Sequence, residues 1–201
     1  MEKEASRRYF NMIIHNIHGD QMQTNLAIPM NVDYENYLKG LSRKEKKRLK
    51  GQTSLNLKNV EPKTDNQIRT FTEYYNGKHL LLHGVAGTGK TFISLYLGLQ
   101  QILSRNNYQS LTLVRSVVPT RDMGFLPGSA KEKAKAYEAP YYSIFSELFN
   151  RGDAYDYCKA RNMVNFLPTS FIRGITLNNS IVIVDECQNL SFHELDSIIT
   201  R

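Results

Sequence analysis

The sequence predicts an α/β fold: a parallel sheet flanked by helices on both faces. Three observations carry that expectation. Short apolar runs recur along the chain at Leu80-Leu81-Leu82-His83, Leu111-Thr112-Leu113-Val114 and Ile181-Val182-Ile183-Val184. After each of them, apolar residues recur at helical rather than alternating spacing. The first run ends at a glycine-rich loop and the last at an acidic pair, and the carboxyl edge of an open parallel sheet is where such folds bind ligands.

The elements follow in order. Residues 1–59 read as a small, basic, mostly helical extension, ahead of a second unit over 60–201. Residues 1–78 hold 14 basic and 9 acidic residues, so most of the chain's formal charge of +7 sits there. Its densest stretch runs from Ser42 to Lys50 with six basic residues in nine. Two readings fit that run: a solvated helix end backed by Tyr34, Tyr37, Leu38 and Leu41, or a contact to a phosphate backbone. Beyond the glycine loop, Phe92, Leu95, Leu99, Ile102 and Leu103 mark one helix, and Tyr141, Ile144, Phe145, Leu148 and Phe149 mark another after Pro140. Ser191-Phe192-His193-Glu194 is a capping box, and Leu195, Ile198 and Ile199 continue its helix. That pattern reaches Arg201 with no Gly, Asn or Pro to end it, which gives the expectation of a cut or an early stop.

Composition narrows the function classes. Hydrophobic residues make up 41% and charged residues 22%, as in ordinary globular proteins. The sequence pI near 9.3 is compatible with a polyanionic partner without requiring one. Cys158 and Cys187 are far apart, fit no metal spacing and read as small buried side chains. No stretch has the length of a membrane span, and the first residues lack a secretory apolar region, so the expected compartment is the cytoplasm.

The glycine loop carries the chemistry. Gly84-Val85-Ala86-Gly87-Thr88-Gly89-Lys90-Thr91 satisfies G-x-x-x-x-G-K-[ST] at every fixed position. Glycines let the backbone approach phosphates closely, and the loop N–H groups with the following helix N-terminus then face the phosphate oxygens. Lys90 can place its ammonium on the β- and γ-phosphates, and Thr91 can ligate Mg²⁺ through its hydroxyl. Asp185 follows four β-branched residues at a strand end and can also hold Mg²⁺. Glu186 is the candidate base for an attacking water, which favours hydrolysis of ATP over transfer to a small acceptor. For Gln188 and Asn189 two readings stay open: sensing the γ-phosphate, or capping the helix that starts near Ser191.

Further blocks make the pattern more specific. They are Val114-Arg115, Val118-Pro119, Gly124-Phe125-Leu126-Pro127-Gly128, Glu132-Lys133, Pro140, Arg173-Gly174, Asp185-Glu186-Cys187-Gln188-Asn189 and Thr200-Arg201. With the glycine loop, they resemble the PhoH-like family of P-loop ATPases, relatives of superfamily 1 helicases with a RecA-like core, in a compact form often carried by bacteriophages. The resemblance covers roughly residues 60–201. It implies that Gln67 reads the adenine edge and that Arg115 lies in a segment touching single-stranded nucleic acid. It also implies that Arg173 reaches phosphate, across a subunit boundary in one version, and that Arg201 senses or contacts phosphate. For the three arginines a surface or structural ion pair is the competing reading. Ser116, Ala136, Ile175 and Cys187 depart from the family pattern, and Ile175 removes a phosphate contact. The family's phosphate-starvation link has no residue here that encodes it.

The resemblance further implies a strand between the loop strand and the Asp185 strand, contributed from beyond the Thr-Arg block together with a sensor motif. On that basis the 201 residues are expected to lack a central strand, to fold less stably and to hydrolyse ATP poorly beside a longer form. The leading expectation for function is an ATPase that couples hydrolysis to RNA or single-stranded DNA, with ATP and Mg²⁺ bound and a homo-oligomer completing the site. The rival is a nucleotide-dependent switch or binding module without motor activity. A small-molecule kinase fits less well, because Glu186 stands beside Asp185 and no lid motif is evident.

Overall fold

Four strands of the central sheet run in one direction and a fifth runs against them. The computed structural model describes residues 12–17, 55–104, 108–116, 130–172 and 174–200, with backbone alone for 12–17 and 130–135. In chain order the elements are β1 (Met12–Ile17), α1 (Asp65–Tyr75), β2 (Leu80–Leu82), α2 (Lys90–Leu103), β3 (Ser110–Arg115), α3 (Ala130–Phe149), α4 (Ala154–Ala160), β4 (Val164–Pro168), β5 (Ser180–Asp185) and α5 (Phe192–Ile199). Two single 3-10 turns, Thr169–Phe171 and Cys187–Asn189, follow β4 and β5.

The sheet order is β2-β1-β5-β3-β4. β3 lies parallel to both β5 and β4, as the alternation of strands and helices requires. β1 is antiparallel to β2 and to β5, and Met12 is opposite Leu82 on one side and Asp185 on the other. The expectation of a missing central strand is therefore corrected. The slot between the loop strand and the Asp185 strand is filled, by a segment from the front of the chain. Met12–Ile17 thus belong to the core sheet rather than to a helical extension. The basic run from Ser42 to Lys50 lies outside the described residues.

β5 shows why the sheet is covered on both sides. Ile181 and Ile183 point into a large core with Leu95, Leu99, Leu111, Leu113, Tyr141 and Phe145. Val182 and Val184 point the other way, into a smaller cluster with Val114, Ile172, Leu177, Cys187 and Ile198. Successive residues of a strand face opposite sides, so an unbroken β-branched run fits a strand buried on both. Helix α2 presses on the first face. A Cβ added at Gly98 would stand 2.7 Å from Leu111 Cδ1, so this glycine lets helix and sheet approach. At the amino end of β3 and β5, the buried hydroxyls of Ser110 and Ser180 meet at 2.8 Å.

Two elements are longer or differently placed than the apolar pattern suggests. α3 begins ten residues before Pro140 and runs through it, although proline supplies no N–H to the preceding turn. β4 reads Val-Asn-Phe-Leu-Pro, a mixed run, and lies at the sheet edge, where a proline without a ladder donor is tolerated. α5 ends at Ile199 with Thr200 as its C-cap.

Candidate functional site

β2 delivers the chain to the glycine loop at the carboxyl edge of the sheet. Gly87 and Gly89 both have φ of 81°, the left-handed region that glycine enters without steric cost. Gly89 is the N-cap of α2 and, lacking a side chain, makes no capping bond to the helix's first N–H groups. Those groups, with the positive end of the helix dipole, form a ready anion site. Val85, Ala86, Gly87 and Thr88 are exposed around it.

The Lys90 ammonium is folded over the loop. It donates to the carbonyls of Gly84 at 3.0 Å and Val85 at 2.6 Å, and to Thr88 Oγ1 at 3.3 Å. Thr88 in turn donates to the Val85 carbonyl at 3.0 Å. The cation is thus held over the concavity where a phosphate would sit. Gln67, on the first turn of α1, stands close by. Its Nε2 is 4.0 Å from where a Cβ on Gly89 would be, and its Oε1 accepts from the Lys63 N–H at 2.7 Å.

The carboxylate half comes from β5. Asp185 is 4% exposed, and a buried carboxylate needs partners for its charge. Three residues far away in sequence supply them. Thr91 Oγ1 donates to Oδ1 at 3.3 Å, Tyr141 Oη donates to Oδ2 at 2.8 Å, and Arg115 Nη1 is 3.6 Å from Oδ2. Burial pushes the Asp185 carboxyl above its usual range, while the Tyr141 hydrogen bond and the Arg115 charge pull the other way. Burial and the neighbouring Asp185 charge also raise the Tyr141 phenol. Glu186 follows with φ of 53°, a left-handed conformation that costs a non-glycine residue about 1–2 kcal/mol. Its carboxylate accepts a short hydrogen bond from Gln188 Nε2.

The sequence-predicted residues are therefore brought together in large part. The loop from Gly84 to Thr91 meets Asp185 through Thr91, Glu186 and Gln188 are paired beside it, and Gln67 lies against the loop. The helix-capping reading of Gln188 and Asn189 is not what the fold uses: α5 is capped by Ser191, whose hydroxyl accepts from the Glu194 N–H at 3.3 Å. Arg115 points inward to Asp185, which is the structural ion-pair reading. Arg173, Arg201 and the Gly124–Gly128 block lie outside the described residues. Tyr141 is the residue the sequence pattern missed, since it reads there as one more apolar position on a helix. Its signal was chemical: a buried tyrosine hydroxyl usually finds a partner.

Thr91 Oγ1 and Asp185 Oδ1 form a pair of hard oxygen donors that suits Mg²⁺. No cluster of three His, Cys, Asp or Glu side chains exists among the described residues. A cation here would complete its shell with phosphate and water, as Mg²⁺ does beside a bound nucleotide. No helix among the described residues is long and apolar enough to cross a membrane.

Comparison with known proteins gives a family match. The model of the PhoH-like protein family matches residues 59–201. Protein PhoH2 of Bacillus subtilis (strain 168) is 35% identical over 124 residues, covering 60% of this chain and 28% of that protein. The PhoH-like protein of Synechocystis is 36% identical over 119 residues, covering 59% of this chain and 36% of its own length. A PhoH-like protein of Mycobacterium tuberculosis (strain ATCC 25618 / H37Rv) is 26% identical over 144 residues, covering 72% and 41%. The chain spans less than half the length of each of these relatives.

Proposed function

The chain belongs to the PhoH-like family of P-loop proteins, and from that premise we propose that it binds ATP with Mg²⁺ and hydrolyses it, coupling hydrolysis to the binding or remodelling of RNA or single-stranded DNA. The observation that carries the ATPase reading is the meeting of Thr91 and Asp185 at 3.3 Å, with Lys90 on one side and Glu186 on the other. The loop N–H groups and Lys90 hold the β- and γ-phosphates. Thr91 and Asp185 hold the cation, which offsets charge on the transferring phosphoryl group. Glu186 accepts a proton from the attacking water as the water oxygen bonds to the γ-phosphorus. The bond from that phosphorus to the β–γ bridging oxygen breaks, leaving ADP and phosphate. Gln67, beside the loop, reads the adenine edge in this reading.

Support for the polynucleotide part is the positive formal charge, since Arg115 is taken up by its ion pair with Asp185. In this reading Arg173 and Arg201 add phosphate contacts, and residues 60–201 work with β1 as one unit. The site is completed by a second copy in the cytoplasm. The test is ATP hydrolysis by wild type and Glu186→Gln, with and without single-stranded RNA and DNA, over a salt series. We expect stimulation by one of the polymers that falls steeply with salt, and loss of turnover in the variant. Hydrolysis indifferent to both polymers would remove the coupling and leave an ATPase.

A nucleotide-dependent switch is the second reading, and one observation favours it. Gln188 donates to one oxygen of the half-buried Glu186 carboxylate, so the base is partly engaged by a neighbour. A switch predicts slow turnover with a partner affinity that changes between ATP and ADP.

A further inference from the structure

The two oxygens of Asp185 are not equivalent. Oδ1 faces Thr91, and Oδ2 faces Tyr141 and Arg115. The Tyr141 contact at 2.8 Å is a full hydrogen bond, whereas 3.6 Å to Arg115 is an ion pair without one. Carboxylates paired with arginine favour a two-pronged arrangement that engages both oxygens. In this site the phenol takes the place where the second prong would fall.

The tyrosine is itself held. Tyr141 is fully buried, one residue beyond Pro140 in α3. Its ring packs against Tyr155 of α4 at 6.3 Å and Phe166 of β4 at 6.0 Å. Tyr155 is fixed in turn by Phe145 at 5.0 Å and by its hydroxyl, which donates to buried Glu138 at 2.8 Å. Three elements thus set where the Tyr141 oxygen lies.

We propose that Tyr141 is a positioning residue: its hydroxyl fastens Asp185 Oδ2 so that Oδ1 is turned toward Thr91 and the cation of a bound nucleotide. This rests on the nucleotide-and-metal reading above. Without the hydroxyl, the carboxylate swings toward Arg115 and Oδ1 leaves its position opposite Thr91. The phenol therefore governs metal affinity while having no role in gripping phosphate, which belongs to the loop.

The test separates these two affinities. Mn²⁺ binding in the presence of ADP is read by electron paramagnetic resonance, and ADP binding in EDTA by calorimetry. The proteins are wild type, Tyr141→Phe and Tyr155→Phe. Tyr141→Phe keeps the ring and its packing. We expect it to lose about tenfold or more in Mn²⁺ affinity, the usual scale for a partner that orients a metal ligand, with ADP affinity in EDTA unchanged. Tyr155→Phe removes a neighbouring buried hydroxyl that does not touch Asp185, and its Mn²⁺ affinity is expected to match wild type. Equal Mn²⁺ affinity in Tyr141→Phe and wild type overturns the positioning role alone. Equal losses in both variants also overturn it, because any damage to the aromatic packing would then suffice. Wild type that binds neither ADP nor Mn²⁺ overturns the nucleotide reading, and the role of Tyr141 falls with it.

Discussion

The phosphate loop and the carboxylate that meets it are built in opposite ways. From Val85 to Thr88 the loop is exposed, and its binding groups are backbone N–H donors shaped by glycines. Asp185 is buried at a strand end and held by side chains from α2, β3 and α3. The loop needs conformational freedom and open space, so little of the fold's stability passes through it. Asp185 needs a dry, fixed setting, so its surroundings are the core itself. Function and stability should therefore separate on the loop side and be entangled on the carboxylate side.

Lys90→Ala is expected to break that contrast most visibly if it is wrong. It should lower ATP turnover by about a hundredfold or more, the scale for losing one charge-stabilising group. Its unfolding free energy should fall by no more than about 1–2 kcal/mol, the scale for losing the ammonium's hydrogen bonds to the loop. A large drop in denaturant midpoint would show that the loop carries stability after all. On the other side, Ile183→Ala removes a core side chain two residues before Asp185 and should destabilise by about 2–5 kcal/mol. Its ATP turnover should fall as well, measured below its melting temperature, because the strand that positions Asp185 is loosened. Full activity with lost stability would separate the two properties here too.

A smaller effect sharpens the same boundary. Ser191→Ala removes the cap of α5, just past the carboxylate turn, and should cost about 1 kcal/mol by urea titration. The least disruptive probe needs no mutation. Burial raises the Cys187 thiol to about 11 and the Cys158 thiol to about 12, so thiolate at pH 8 is about 0.1% or less of either. Native protein should react with a disulfide reagent at least about tenfold more slowly than guanidinium-unfolded protein. Immediate labelling of Cys187, located by peptide mapping, would mean that the turn after Asp185 opens readily.

What the sequence made legible follows the range of the interactions involved. The glycine loop and Asp185-Glu186 are local patterns, and their residue types state their chemistry. The same holds for β3 and β5, whose apolar runs are buried on both faces, whereas β2 lies at the sheet edge and leaves Leu81 49% exposed. β4 was harder, since an edge strand tolerates Asn165 and Pro168 where a central strand would not. The central position of β1 has no local signature, because the partners of Met12–Ile17 lie at Leu80–Leu82 and Ser180–Asp185. Tyr141 was visible as a helix position, yet its bond to Asp185 depends on a fold that brings residues 44 apart together.

The place of β1 also bears on the order in which the molecule forms. Strand pairing between distant segments is slow, because loop closure must precede any gain from contact. Met12–Ile17 can pair with one neighbour once Leu82 has been synthesised, and with the other only after Asp185 has emerged. Until then an early segment waits with one edge unpaired, and the phosphate loop has no backbone link to its carboxylate. Assembly of this site thus waits until both partners of Met12–Ile17 have been made.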